Sequence, residues 1–137
     1  VDISGVWYNE INSTVEFEVK DGVIRGWYIS AVGQAAGPYA VIGLVDTDDE
    51  TPTLGWVVRW QNKKKNAQSV TTWCGQAQVI DGEDVIDTTW LLVRSTAVKD
   101  NWESTMVGKD TFFRTERSAE EVRKAMILKG FAKATPE

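Results

Sequence analysis

Eight stretches of this chain read as strands, and short breaks rich in turn-forming residues separate them. The strand candidates span residues 5–10, 14–20, 23–31, 39–45, 54–61, 68–79, 84–94 and 106–115. Between them lie Asp21-Gly22, Gly33 through Pro38, Asp46 through Pro52, Asp81-Gly82 and Lys99-Asp100-Asn101. These residue types tolerate the positive φ or the fixed reversal that a tight turn demands. Eight strands in succession with short links predict an all-β fold, an eight-stranded antiparallel up-and-down β-barrel. Closure removes the exposed edges that an open sheet has to protect. An open sandwich is the alternative arrangement of the same strands.

The two-residue period assigns the faces, because residues two apart on a strand point the same way. Trp56 shares a side with Trp60, and Trp73 with Ser69, Thr71 and Gly75. Trp90 lies with Thr88 and Leu92, Trp7 with Asn9, and Tyr28 with Gly26, Ser30 and Val32. Trp73 and Trp90 thus sit on faces that also carry small hydroxyls, and Trp7 on one that carries a carboxamide. A core built for stability alone would use aliphatic residues more freely. Indoles mixed with hydroxyls predict a cavity for a molecule that is partly apolar and partly hydrogen-bonding. The opposite face of the seventh strand carries Val85, Asp87, Thr89, Leu91 and Val93. Its apolar end predicts a contact between subunits, with scattered surface hydrophobics as the alternative.

Several function classes are disfavoured by composition. With 137 residues the chain is the size of one domain, and its net charge of −5 argues against a nucleic-acid or anionic-membrane partner. Lys63, Lys64 and Lys65 fall between two strand candidates and read as a solvated turn. No apolar run is long enough to span a bilayer as a helix. There is no histidine, and Cys74 is the lone cysteine, so a zinc site, a histidine-based triad and an intrachain disulfide are all excluded. Asn12-Ser13-Thr14 fits the N-glycosylation triplet, which matters only on a glycosylating secretory route.

After Thr115 the pattern changes. Ser118 with Glu121 three places on has the form of a capping box. Val122, Ala125, Met126 and Lys129 then recur at helical spacing, and Gly130 provides a stop. The expectation is a barrel over residues 1–116 and an extension over 117–137, helical and then disordered. Val122, Met126 and Phe131 are expected to pack the helix on the barrel, with no chemistry of its own.

Six runs, in order, carry a resemblance. They are Gly5-Val6-Trp7-Tyr8-Asn9, Ser30-Ala31-Val32-Gly33, Leu54-Gly55-Trp56, Thr71-Thr72-Trp73-Cys74-Gly75-Gln76, Trp90-Leu91-Leu92 and Val107-Gly108-Lys109-Asp110-Thr111-Phe112. Together, from residue 5 to about residue 115, they resemble the avidin/streptavidin family. The resemblance implies a barrel that binds biotin without catalysis, needs no metal or cofactor, and assembles as a tetramer. By that likeness Asn9, Ser13 and Tyr28 donate to the ureido oxygen, and Ser30 and Asp110 accept from the ureido nitrogens. Trp60, Trp73, Trp90 and Leu92 form the apolar wall, and Thr71 stands near the thioether sulfur. Val32 and Gln34 belong to the segment that closes over the ligand, and Ser69 and Gln34 face the carboxylate. Trp102 reaches into a neighbouring subunit's pocket. Trp7 and Trp56 are assigned to packing.

Where this chain departs from streptavidin, Gln34 replaces an asparagine, Lys109 a histidine at the weaker dimer–dimer contact, and Cys74 a serine. The implied partners are biotin and biotinylated molecules, with no nucleic acid and no membrane. The implied setting is extracellular, and the implied role is sequestration of the vitamin. A lipocalin-like carrier of another hydrophobic small molecule is the alternative, and an enzyme the third reading. The carrier would need fewer convergent polar groups than these.

Overall fold

A computed structural model describes residues 1–31, 37–130 and 132–136. Eight strands, β1 (Gly5–Tyr8), β2 (Thr14–Lys20), β3 (Val23–Ile29), β4 (Tyr39–Val45), β5 (Thr53–Gln61), β6 (Asn66–Ile80), β7 (Glu83–Arg94) and β8 (Thr105–Phe113), close into one antiparallel barrel in sequence order. A turn of 3₁₀ helix (Val98–Glu103) precedes β8, and one α-helix, α1 (Ala119–Lys129), follows it. Closure between β1 and β8 rests on the Tyr8–Phe113 register. Among the described residues no helix is long and apolar enough to cross a membrane.

Turn chemistry sets the register. Asp21 and Gly22 have φ of 52° and 75°, and Asp81 and Gly82 have 51° and 79°. Two consecutive positive φ values are the mark of the hairpin turn whose twist matches its flanking strands, and Asp-Gly suits it. β2 therefore runs directly into β3, and β6 into β7, with paired registers reaching Lys20–Val23 and Ile80–Glu83.

The alternation predicted from sequence is the alternation of burial. Leu54, Trp56, Val58 and Trp60 of β5 are buried, as are Ser69, Thr71 and Trp73 of β6 and Thr88, Trp90 and Leu92 of β7. Cys74 faces outward and is exposed. One position breaks the rule: Val85, assigned to the outside of β7, is buried. Its partner across the ladder is Phe113, and the Arg117 guanidinium lies 4.0 Å from that ring, so chain beyond β8 covers this end.

Aromatic rings run through the interior. Phe17 and Phe112 pack edge-on against Trp56, which stacks on Trp73 at 5.4 Å. Trp73 in turn stacks on Tyr28 at 5.1 Å, and Trp60 stands edge-on to Tyr28 and Tyr39. Each large ring removed from water contributes roughly 2–3 kcal/mol, and the edge and offset geometries add to that. Trp7, at the far end, donates from Nε1 to the Ile3 carbonyl and lies under Arg114.

The extension differs from expectation in what holds it. α1 forms with the Ser118–Glu121 capping box and ends at Gly130, but it has no buried residue. Val122 is half-buried, Met126 is 39% exposed, and Phe131 lies outside the described residues. Beyond the helix, Ala134 and Thr135 are buried where a disordered end was expected.

Gly108, across the ladder from Trp90, leaves room for the indole: a Cβ there would come within 2.3 Å of Trp90 Cζ2. Gly108→Val should therefore displace Trp90 and destabilise the barrel by about 1–3 kcal/mol. The urea midpoint of unfolding checks this, and an unchanged midpoint would contradict the packing described.

Candidate functional site

Up-and-down topology brings alternate strand ends to one mouth. The ends of β1, β3, β5 and β7 and the starts of β2, β4, β6 and β8 share it. Asn9 and Ser30 lie just past β1 and β3, and Ser13 lies just before β2. Trp60, Ser69 and Leu92 come from the ends of β5, β6 and β7 on the same side, with Tyr28, Thr71, Trp73, Trp90 and Asp110 deeper.

The β1–β2 link orients the first polar group. Asn12 takes φ of 62°, and the Asn9 carboxamide oxygen accepts from the backbone N–H of Ile11 and Ser13 at 3.1 and 2.9 Å. That fixes the oxygen on the turn and leaves Nδ2 as the donating end. Ser13 Oγ accepts from Ala31 N at 3.1 Å, so its O–H is the part left to donate. Tyr28 is wholly buried, and its hydroxyl has no hydrogen-bond partner among the described residues. Burial pushes the phenol's pKa up, and the Asp110 carboxylate adds to the effect. At neutral pH Tyr28 therefore stays protonated and is a donor.

Asp110 is 1% exposed. Its Oδ2 accepts from Trp73 Nε1 at 3.0 Å, and its Oδ1 accepts from Lys129 Nζ at 2.8 Å. Thr88 Oγ1 donates to the Asp110 carbonyl at 2.8 Å and fixes that part of β8. Lys129 Nζ also donates to the Lys109 carbonyl at 2.8 Å and lies 3.6 Å from Glu10 Oε1. Glu10 Oε1 accepts from Thr111 N at 2.9 Å. A pair of carboxylates, Asp110 and Glu10, thus surrounds one ammonium.

Along the wall, Trp60 Nε1 donates to Thr71 Oγ1 at 2.8 Å, and Thr71 donates onward to the Ala134 carbonyl at 2.5 Å. Ser69 Oγ and Trp90 Nε1 are buried without partners among the described residues. At the rim, a cavity of about 730 Å³ is bounded by Ser69, Leu92, Trp102, Thr135 and Pro136 among others. Trp102 is 81% exposed and is not packed into the site of its own chain. Val32 and Gln34 lie outside the described residues. No group of three histidine, cysteine or acidic side chains suited to a metal occurs among the described residues.

Sequence reasoning missed three contributors. Thr88 carried a signal, since it shares a face with Trp90, yet it was read only as lining. Glu10 alternates away from Asn9 and carried none. Lys129 was read as one more position of a packing helix, whereas it reaches Asp110, 19 positions away.

Comparison with known proteins identifies the family of the barrel. The model of the Avidin family matches residues 1–115. Fibropellin-1 of Strongylocentrotus purpuratus is 36% identical over 85% of this chain and 11% of its own length. Fibropellin-3 of the same organism is 28% identical over 85% of this chain and 21% of its own. Afifavidin of Afifella pfennigii is 27% identical over 89% of this chain and 75% of its own. The chain thus spans about a tenth and about a fifth of the two fibropellins.

Burial raises the Glu10 carboxyl above its ordinary 4.5, and the Lys129 ammonium and Thr111 N–H pull it partly back. The folded chain then holds this proton more tightly than the unfolded chain does. Glu10's contribution to stability is full below the unfolded pKa and is lost as pH rises through the folded one. A carboxyl ¹³C titration should place Glu10 above 4.5, and Lys129→Met should raise it further. A midpoint at or below the ordinary value would contradict the burial described.

Proposed function

This chain belongs to the avidin family, and from that premise we propose that its barrel binds biotin without transforming it. The family consists of non-catalytic binding proteins that generally bind biotin and form oligomers. The observation that carries the reading is the wholly buried hydroxyl of Tyr28, which has no hydrogen-bond partner among the described residues, in a barrel whose Asn9 and Ser13 are also buried. A buried polar group without a partner costs about 1–3 kcal/mol. A buried phenol donor of this kind calls for a strong acceptor, and in this reading a urea oxygen is that acceptor, with Asn9 Nδ2 and the Ser13 hydroxyl as its further donors.

The remaining polar groups match the rest of a cyclic urea. Asp110 accepts one ureido N–H, and Ser30 accepts the other. The Trp73–Asp110 bond holds the carboxylate in place, and Thr88 holds the backbone that carries it. A hydrogen bond to a carboxylate in a dry site is stronger than one to a neutral acceptor. Trp60, Trp73, Trp90 and Leu92 exclude water around the bicycle and its chain. Thr71 stands beside the sulfur, and Ser69 and Gln34 meet the carboxylate, with Val32 in the closing segment. Because Asn9, Thr71 and Asp110 are held by bonds of their own, little ordering of these groups is left to oppose binding.

Assembly is part of the proposal. The register sets Val70 beside Val93, and Leu91 beside Val107, on the outer face of β6–β8, and all four are exposed in a single chain. Together with exposed Trp102 they support a tetramer in which Trp102 covers the pocket of a neighbour. Lys109, also outward, brings like charges to that assembly and weakens one of its contacts. Capture of the vitamin or of biotinylated molecules outside the cell is the role the reading implies.

Calorimetric titration should give one biotin per chain. Absence of binding to biotin, with binding of a fatty acid or retinoid, would replace this reading with a carrier of another kind. Asp110→Ala should speed biotin release by roughly tenfold to a hundredfold, the equivalent of one charged hydrogen bond. Trp102→Ala should speed release in the assembled protein, and an unchanged rate would refute the shared pocket.

A further inference from the structure

We propose that the chain's own Lys129 and the segment 132–136 act as a built-in competing ligand, docked in the barrel mouth until biotin displaces them. The docking stands on geometry alone; the displacement rests on the biotin reading above.

Three points fix the course of the extension. The Asn12 carboxamide donates to the Arg117 carbonyl at 2.9 Å and accepts from its N–H at 2.8 Å. α1 then crosses with no buried residue, and Ile127 and Leu128 are 75% and 87% exposed. Apolar packing therefore does not hold the helix. Lys129 does, from its last turn, through Asp110 and the Lys109 carbonyl. The third point is the Ala134 carbonyl on Thr71, with Ala134 and Thr135 both buried.

These contacts have the pattern of a ligand. Asp110 calls for an N–H donor, and Lys129 supplies one. Thr71 already accepts from Trp60, so its own O–H must donate, and the Ala134 carbonyl receives it. Yet Tyr28 Oη, Ser69 Oγ, Trp90 Nε1 and the tail's own Thr135 Oγ1 remain buried without partners among the described residues. The tail satisfies part of the polar shell and leaves the rest. An occupant that satisfies all of it displaces one that does not, and the apparent affinity falls by the fraction of chains whose mouth is open.

The test uses the full chain, trypsin cleavage after Lys133, and two variants. Ala134→Arg has no room beside Thr71 but keeps Lys129, and Lys129→Met removes the ammonium while keeping the helix. Without ligand, each should speed cleavage after Lys133 by roughly tenfold. Cleavage as slow as in the parent chain for both variants overturns the docking, whether or not biotin binds.

In the second arm, saturating biotin should speed cleavage after Lys133 in the parent chain. Ala134→Arg should bind biotin roughly tenfold faster than the parent. Biotin bound with the tail still protected overturns the displacement. If neither the parent nor Ala134→Arg binds biotin, the displacement falls with the biotin reading, and the first arm alone decides the docking.

Discussion

Asp110 is a carboxylate held almost wholly out of water, and much of the architecture around it exists to make that tolerable. Moving an unpaired carboxylate into such a site would cost several kcal/mol. The Trp73 indole N–H takes one oxygen and an ammonium takes the other, while Thr88 steadies the strand beneath. A group this expensive to bury is a recognition element rather than a stabilising one. It confers direction on the cavity, because any occupant must present a donor at that depth.

Aromatic packing makes that charge count. Trp56, Trp73, Tyr28 and Trp60 touch in sequence along the interior, so water has little access to the bottom of the barrel. Low polarity strengthens every satisfied hydrogen bond there and penalises every open one. The same indoles have a second task. Trp60 orients the Thr71 hydroxyl, and Trp73 orients the Asp110 carboxylate, so wall and polar shell are one construction.

The barrel was legible in the sequence because its rules are local. Asp-Gly pairs at 21–22 and 81–82 set hairpins, and the two-residue period at Ser69, Thr71 and Trp73 set a face. Placement of Trp73 beside Asp110 was not legible as a bond, since alternation says which side a residue faces and not what it meets. The helix was legible from Ser118, Glu121 and Gly130, whose capping chemistry is also local. Its docking was not. An apolar stripe at Val122 and Met126 suggested packing, but the contact that forms is a terminal lysine threading to a buried carboxylate. Nothing in the spacing of residues around Lys129 encodes that partner. Val85 shows the same limit, being outward by period and covered by chain that returns from beyond β8.

The Asn12 carboxamide has both its edges engaged by the Arg117 backbone, and this residue also begins the Asn12-Ser13-Thr14 triplet. An oligosaccharide attached to Nδ2 during synthesis would replace one of its two hydrogens and crowd the Arg117 backbone that the other edge of the amide meets. The start of the extension would then have to shift, while Lys129 on Asp110 and Ala134 on Thr71 still tie its later part to the barrel. Choice of expression host therefore bears on how the extension is anchored at its start, because only a glycosylating cell would modify Asn12.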